Sequence, residues 1–433
     1  MTSLNRPASL ALFLASCVLT LACESFKRSP PIERVGHSRT SNALSAQDRA
    51  AIFEDVWRTI NEEYYDPSFN GVDWPSVRER YRPRFEAAAN DWEFYGQFEV
   101  MMSELRDGHT TFGPPPAPGV SENELPRGSF GLRLGEAEGK VAVVEVRPET
   151  DAARAGVKPG MILRTVNGKT VEEHFAYLRS VFAGSSSERA TKSILQHALL
   201  YGGFLSLPRK FGLTDFDGKL FEVELMPRSA PQPPEVVSRR LASGFGYIKF
   251  DNWLPPADEK FESELSKLMD APGLIIDLRG NGGGSIEVQL NIAGSFYPSG
   301  TSYGSNKNRR GELEKYFTHK TDQVYKGAVV ILVDETSASG SEMFPAVMQE
   351  NRRAWVVGRQ TCGCVLNQNV RRMKGGGTLR WSYRVYTTPG GRVLEGTGVI
   401  PDEIVPLTIS DLRQERDAVL EAAEKMLPSL AGK

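Results

Sequence analysis

Val333-Asp334-Glu335-Thr336-Ser337-Ala338-Ser339-Gly340-Ser341-Glu342-Met343-Phe344 follows directly on the apolar run Ala328-Val329-Val330-Ile331-Leu332. The run reads as a buried strand and the small residues after it as a tight strand-to-helix turn. Such a turn is a perch for a nucleophilic hydroxyl: exposed, uncrowded, with the next backbone N–H at a helix N-terminus free to hold an oxyanion. A Ser/Thr cluster that caps a helix is the plain alternative. The rest of the chain decides between them.

Upstream, Gly273-Leu274-Ile275-Ile276-Asp277-Leu278-Arg279 reads as a second buried strand that opens into Gly280-Asn281-Gly282-Gly283-Gly284. Glycines there let the backbone turn sharply and bare its N–H groups to a ligand. A dinucleotide-binding loop is the competing reading, but its G-x-G-x-x-G spacing fails at the last position, Ser285.

Together these segments resemble the tail-specific, or C-terminal processing, serine peptidases, the family that includes the tricorn protease core. Its pattern of D-L-R-x-N-x-G-G, S-A-S-x-S-E, V-G-x-x-T-x-G and G-V-x-P-D has counterparts here in the same order. They are Asp277 to Gly284, Ser337 to Glu342, Val357 to Gly363, and Gly398-Val399-Ile400-Pro401-Asp402. The resemblance implies Ser339 as nucleophile. It also implies the backbone N–H groups of Gly340 and of one residue of the Gly282–Gly284 run, Gly283, as the oxyanion hole.

One departure bears on mechanism. The processing peptidases place a catalytic lysine just after T-x-G, where this chain has Cys364, and no lysine occurs between Lys326 and Lys374. A cysteine differs from lysine in charge and reach and cannot stand in as base. Leu105-Arg106-Asp107-Gly108-His109-Thr110 resembles the L-x-D-x-H-T segment of the tricorn-type branch, in which the histidine is the general base. An imidazole, with its near-neutral pKa, suits that task. Capping carbonyls at a helix end is the structural alternative for His109. The tricorn branch has a serine immediately before this histidine; here the position is Gly108, which leaves open what polarises the ring. Glu395, just ahead of G-V-x-P-D, matches the tricorn-branch glutamate and would orient the imidazole; a surface glutamate beside a glycine turn is the alternative.

The chain has 433 residues, 40% hydrophobic and 24% charged, with a net charge of −2. That composition fits two to three globular domains and gives no pull toward nucleic acid or an anionic surface. The N-terminus reads as an export signal: Arg6 precedes an apolar stretch from Leu10 to Ala22 that is short for a membrane span. Cys23 is the expected lipid-attachment site, with Cys17 as alternative and an unmodified secreted protein as the third reading. The polar segment 24–45, with Pro30 and Pro31, reads as a tether. Cys362 and Cys364 are expected as small packing residues at the active-site wall, a labile disulfide being the alternative. A zinc site there lacks a second pair of ligands.

Apolar residues from Ile52 to Leu105 recur with helical spacing and mark a helical domain that ends at the proline-rich run 114–118. Residues 126–228 change to short strands. Asp151-Ala152-Ala153-Arg154-Ala155-Gly156-Val157, with Pro159-Gly160-Met161-Ile162-Leu163 and Val166-Asn167-Gly168, resembles a PDZ domain of the kind inserted in processing peptidases. It has Met161 where the pattern has aspartate. Such a domain adds a peptide strand to an open sheet edge and holds its carboxylate in a backbone nest, here expected before Phe130-Gly131-Leu132. A β domain without ligand is the alternative. Beyond Ser229–Pro234 the chain alternates strands and helices, ending in a helix expected over Asp411–Met426.

The expected fold is therefore α/β: a crotonase-like, ClpP-like spiral peptidase core with an N-terminal helical domain and an inserted PDZ-like β domain. The expected divisions are a signal peptide 1–22, a tether 23–45, a helical domain 46–113, a PDZ-like domain 126–228 and a peptidase core 240–433. The expected activity is that of an exported serine endopeptidase, periplasmic or held by a lipid, that acts on proteins or peptides through their C-termini. No metal, nucleotide or other cofactor is called for. A catalytically inactive scaffold of the same fold, binding peptides or hydrophobic ligands, is the rival.

Overall fold

The computed structural model describes residues 44–115, 128–201, 208–229, 236–321 and 324–430. The export signal, both lipid-attachment candidates (Cys17 and Cys23), most of the tether and the linker residues 116–127 and 230–235 lie outside them. No helix among the described residues is long and apolar enough to cross a membrane.

Three helices open the described chain: α1 (Ala46–Glu63), α2 (Trp74–Glu86) and α3 (Asp91–Ser103). Polar side chains start them, since the first N–H groups of a helix have no partner within it. Ser45 Oγ accepts from Asp48 N–H at 3.1 Å and Asn90 Oδ1 from Glu93 N–H at 2.9 Å. Their apolar faces meet in an aromatic cluster of Phe53, Phe85, Phe94 and Phe98. The cluster also takes in Phe112, Leu379 and Trp381 from beyond the helices. Phe112 stands on β1 (Thr111–Gly113), its ring 4.3 Å from that of Phe98.

Residues 128–229 carry β2 (Leu132–Ala137), β3 (Lys140–Val146), β4 (Ile162–Val166), α4 (Val171–Val181), α5 (Glu188–Tyr201), β5 (Arg209–Thr214) and β6 (Leu220–Leu225). The strands pair antiparallel in the order β2-β3-β4-β5-β6, with Lys169–Thr170 added to β4. Alternating residues from this sheet close a core of their own around Phe130, Val143, Leu163 and Phe211.

The rest of the chain is layered α/β. In chain order it comprises β7 (Val236–Arg240), β8 (Gly246–Phe250), α6 (Ala257–Ser266), β9 (Gly273–Asp277), α7 (Ile286–Gly294), β10 (Ser302–Asn308) and β11 (Leu313–Phe317). There follow β12 (Ala328–Val333), α8 (Gly340–Glu350), β13 (Trp355–Gly358), β14 (Leu366–Arg372), β15 (Thr378–Thr387), β16 (Glu403–Ile404) and α9 (Ala418–Leu430). The central sheet runs β7-β8-β9-β12-β13-β16, parallel except for the antiparallel edge strand β7. Both its faces are covered, which is why β12, and β9 as far as Ile276, are apolar runs rather than alternating. Phe261, Leu290 and Phe344 of α6, α7 and α8 lie in one core cluster. Val419, Ala423 and Leu427 of α9 join Ile275, Val330 and Leu332 in another.

A second sheet, β1-β15-β10-β11 with β14 also on β15, reaches back to the N-terminal region. Thr111 pairs with Arg380 and Gly113 with Thr378. The strand after His109, counted by sequence with the helical unit, is thus hydrogen-bonded to the core sheet. The terminal helix differs too: instead of one helix over Asp411–Met426, a short helix Ile409–Arg413 precedes α9. The break falls where Glu415 takes φ 53° and Asp417 Oδ1 accepts Leu420 N–H at 3.0 Å to start a new helix.

Candidate active site

β9 and β12 are parallel neighbours in register, Asp277 opposite Leu332, so the glycine loop and the serine turn leave the same end of the sheet side by side. The carboxyl ends of parallel strands are where open α/β sheets place their sites. Asp334 ties the two loops together. Its Oδ1 accepts from Gly280 N–H (3.2 Å), Thr336 N–H (3.0 Å) and Ser337 N–H (3.1 Å). Burial opposes its charge, yet the Arg133 and Arg359 guanidiniums and the Thr336 hydroxyl hold its carboxyl below the usual range. Arg133 reaches in from β2 of the inserted unit, 3.9 Å from Asp334. Asp277 and Arg279, prominent in the sequence motif, serve as struts: Arg279 bridges Asp277 (2.6 Å) and Asp417, the residue just before α9 (2.7 Å).

Ser339 ends the turn with φ 53° and ψ −113°, a combination that crowds any residue with a Cβ. Holding it there costs about 1–3 kcal/mol, supplied by the surrounding fold. The expected exposed perch is a buried one, with Ser339 only 4% exposed. Gly283 lies flat against it. A Cβ on Gly283, at φ +98°, would come within 2.6 Å of Ser339 Cβ and 2.8 Å of Gly340 N. Only a glycine fits this approach. The Gly283 N–H, however, donates to Asn281 Oδ1 at 2.9 Å, so the expected oxyanion donor is engaged within its own loop. Gly340 N–H, the first of α8, makes no hydrogen bond to an acceptor among the described residues and is open to an incoming anion. The two other serine hydroxyls of this stretch are structural: Ser337 Oγ donates to Leu278 C=O (2.9 Å), and Ser341 Oγ accepts from Trp253 Nε1 (2.8 Å).

Four donors converge on Glu342, three residues after Ser339. They are Ser339 N–H (3.1 Å), Gly363 N–H (2.7 Å), Cys364 N–H (2.9 Å) and the Thr361 hydroxyl. Burial still dominates and pushes its carboxyl up to about 7, with these bonds pulling it down. Cys364 sits at the turn through its backbone, its C=O accepting Ser339 N–H at 2.9 Å. Its sulfur is bonded to Cys362, so the two cysteines expected as packing residues form a disulfide. The backbone brings their Cα atoms to 5.3 Å, within the span a disulfide bridges, and both residues lie in one buried cluster with Ala338 and Ala190.

His109 is fully buried. Its loop is anchored by the β1–β15 pairing, by His109 N–H on Asp107 Oδ1 (2.8 Å) and by Gln368 Nε2 on the His109 carbonyl. Burial holds the imidazole below its usual pKa, against the pull of the Asp107 carboxylate, so the ring is neutral and able to accept a proton at pH 7. Among the described residues neither ring nitrogen has a hydrogen-bond partner. Glu395 lies near this loop, since the Asp107 carboxylate opposes its charge; burial and that repulsion push it up to about 8. Its Oε2 accepts Val365 N–H at 2.6 Å, and the Ser186 hydroxyl also binds the carboxylate. Ser339 and Glu395 are thus linked through the adjacent residues Cys364 and Val365, and Glu395 is linked to the loop before His109 through Ser186, while the imidazole is bonded to neither Ser339 nor Glu395.

Sequence reasoning did not single out Ser186, Arg133 or Asp334. The Ser185-Ser186-Ser187 run is a visible cue, but nothing in the local pattern says that a residue of the inserted unit reaches the loop before His109.

Residues 244–405 match peptidase family S41, and residues 45–103 match the tricorn protease C1 domain. The carboxyl-terminal-processing protease of Synechocystis sp. is 26% identical over 90% of this chain and 89% of its own length. Among solved structures, the photosystem II D1 C-terminal processing protease superposes with a TM-score of 0.59 at 22% identity, covering 88% of this chain and 98% of that one. Mature CPAF superposes at 0.69 and 14% identity, covering 89% and 98%. The parallel sheet, the glycine loop beside the serine turn and these matches agree: the chain is a serine-type peptidase that carries a peptidase family S41 domain over residues 244–405 and a tricorn protease C1 segment over residues 45–103, and it is similar to carboxyl-terminal-processing proteases.

Proposed function

We propose that this chain is an exported serine endopeptidase in which Ser339 attacks the scissile carbonyl, His109 takes and returns the proton, and Glu395 stabilises the charged imidazole. Support comes foremost from the turn itself: a strained, buried Ser339 pressed on Gly283 with an unused Gly340 N–H beside it. That N–H receives the developing oxyanion; Gly283 joins it on releasing Asn281. The neutral, unpartnered imidazole of His109 supports its role as base, because a buried ring nitrogen without a partner costs free energy until a proton donor reaches it. Cys364, in a disulfide, has no proton to exchange.

In this reading the unit 126–228 is a PDZ-like domain that captures substrate C-termini by strand addition, which supplies affinity remote from the scissile bond. Cys23 carries the lipid that holds the enzyme at a membrane outside the cytoplasm. Relatives named as processing proteases or peptidases in bacteria and chloroplasts support the substrate class of polypeptides.

One observation favours a second reading, an inactive scaffold: His109 has no hydrogen bond to Ser339 or Glu395. Labelling with a fluorophosphonate probe, together with casein hydrolysis, separates the two. The peptidase reading expects labelling that Ser339→Ala abolishes with the fold intact. Equal labelling of wild type and Ser339→Ala refutes the assignment, and no labelling of either supports the scaffold.

A further inference from the structure

We infer that Ser186, carried by the inserted β unit, is a positioning residue of the active site: its hydroxyl joins the Glu395 carboxylate to the backbone of the His109 loop. The inference rests on the catalytic reading above and extends it to a residue that no motif marks.

The geometry is specific. Ser186 Oγ accepts the Gly108 N–H at 3.2 Å, and its hydroxyl proton goes to the Glu395 carboxylate. Gly108 has no side chain with which to reach the carboxylate, and Ser186 links the loop to the acid in its place. Ser186 is also held firmly. The neighbouring Ser187 hydroxyl donates to the Cys362 carbonyl, while Arg189 donates to the carbonyls of Thr361 (2.7 Å) and Thr397 (2.6 Å). Ala190 packs against Ala338 and the cysteine pair. A hydroxyl on so many anchors fixes an acid within the few tenths of an ångström that proton transfer requires.

Its electrostatic role follows. Glu395 faces Asp107 and Glu342, whose negative charges oppose its own; Tyr64 and Tyr65 face it, Arg189 stands nearby on the Thr397 carbonyl, and His109 follows Gly108 in the bridged loop. In that setting burial and Asp107 favour the neutral acid, which could not stabilise an imidazolium. The hydrogen bond from Ser186 favours the ionised form. Removing the hydroxyl makes the acid harder to ionise.

The test is the pH dependence of kcat/KM for the full mature protein on a fluorogenic peptide, in wild type, Ser186→Ala, Ser186→Thr, Glu395→Gln and Ser339→Ala. Ser186→Ala should lower kcat near pH 7 by roughly tenfold with KM unchanged, and move the rising limb up by about one pH unit, as loss of one hydrogen bond to a charged group requires. The deficit should narrow at high pH, and Ser186→Thr should restore the profile. With Glu395→Gln impaired, a wild-type profile for Ser186→Ala overturns the inference alone. So does a uniform loss at every pH that Ser186→Thr fails to repair, the mark of a packing contact. Wild-type turnover in Glu395→Gln or Ser339→Ala overturns the catalytic reading and the inference with it.

Discussion

Substituting Gly283 by alanine puts one methyl group at the closest approach between the two loops. The new Cβ would lie 2.6 Å from Ser339 Cβ, 2.7 Å from the Ala338 carbonyl oxygen and 2.8 Å from Gly340 N. None of these is the free end of a flexible side chain, so the serine turn itself must shift. Left-handed backbone with a side chain costs about 1–2 kcal/mol, and forcing a methyl into a packed site about 1–3 kcal/mol more. The expected loss is thus about 2–5 kcal/mol in urea unfolding. With Ser339 as the proposed nucleophile, a displacement of ~1 Å should lose about 10²-fold in kcat. Gly280 in the same loop supplies the control: at φ +80° an added Cβ meets nothing within 4 Å. Gly280→Ala should show only the backbone part, about 1–2 kcal/mol, with kcat near wild type. The reasoning fails if Gly283→Ala keeps kcat within about threefold of wild type, or if the two variants suffer equally.

Asp334→Asn should cost about 2–4 kcal/mol, because the tie between Gly280 and the serine turn loses its charge while Arg133 and Arg359 remain; an unchanged urea midpoint would contradict this. Folding stability should fall by about 2–3 kcal/mol between pH 6.5 and 8.5. Glu342 and Glu395 are raised to about 7 and 8, so what they contribute is full below their ordinary value of 4.5 and is lost as pH rises through those values. His109, lowered by burial, acts in the opposite sense only below its ordinary 6.5. Glu342→Gln should flatten that fall, and equal pH slopes in variant and wild type would refute the burial argument. Replacing Cys362 and Cys364 together by alanine should cost about 1–2 kcal/mol, the loop being very short, and leave kcat/KM within roughly tenfold because neither sulfur does chemistry. Loss of turnover comparable to Ser339→Ala would make the pair a catalytic element.

Much of this architecture is legible locally. The apolar runs 273–278 and 328–333 admit no other element than buried strands, and each is followed by residues that can only turn. That places the glycine loop beside the serine turn once the strands are parallel neighbours. Burial of Ser339 is not local: the Cys362–Cys364 segment and Ala190, remote in sequence, close over the turn. The same holds for the disulfide. Spacing of two residues argues against a bond, and it is the backbone of the folded segment that brings the two Cα atoms to 5.3 Å. The boundary at 113 misleads for a similar reason. Three residues after His109 are too few to announce a strand, and their partner, β15, lies more than 250 residues on. Ser186 is the extreme case, a polar residue in a serine run whose meaning depends wholly on Gly108 and Glu395.

The central claim is that two segments 230 residues apart, ending in His109 and Ser339, form one catalytic unit. A double-mutant cycle in kcat/KM on one peptide substrate addresses it. Ser339→Ala and His109→Ala should each lose several orders of magnitude, and the double variant should be no worse than either single one, since members of one unit are not additive. Losses that multiply in the double variant, or His109→Ala retaining more than about a tenth of wild-type kcat/KM, would contradict it.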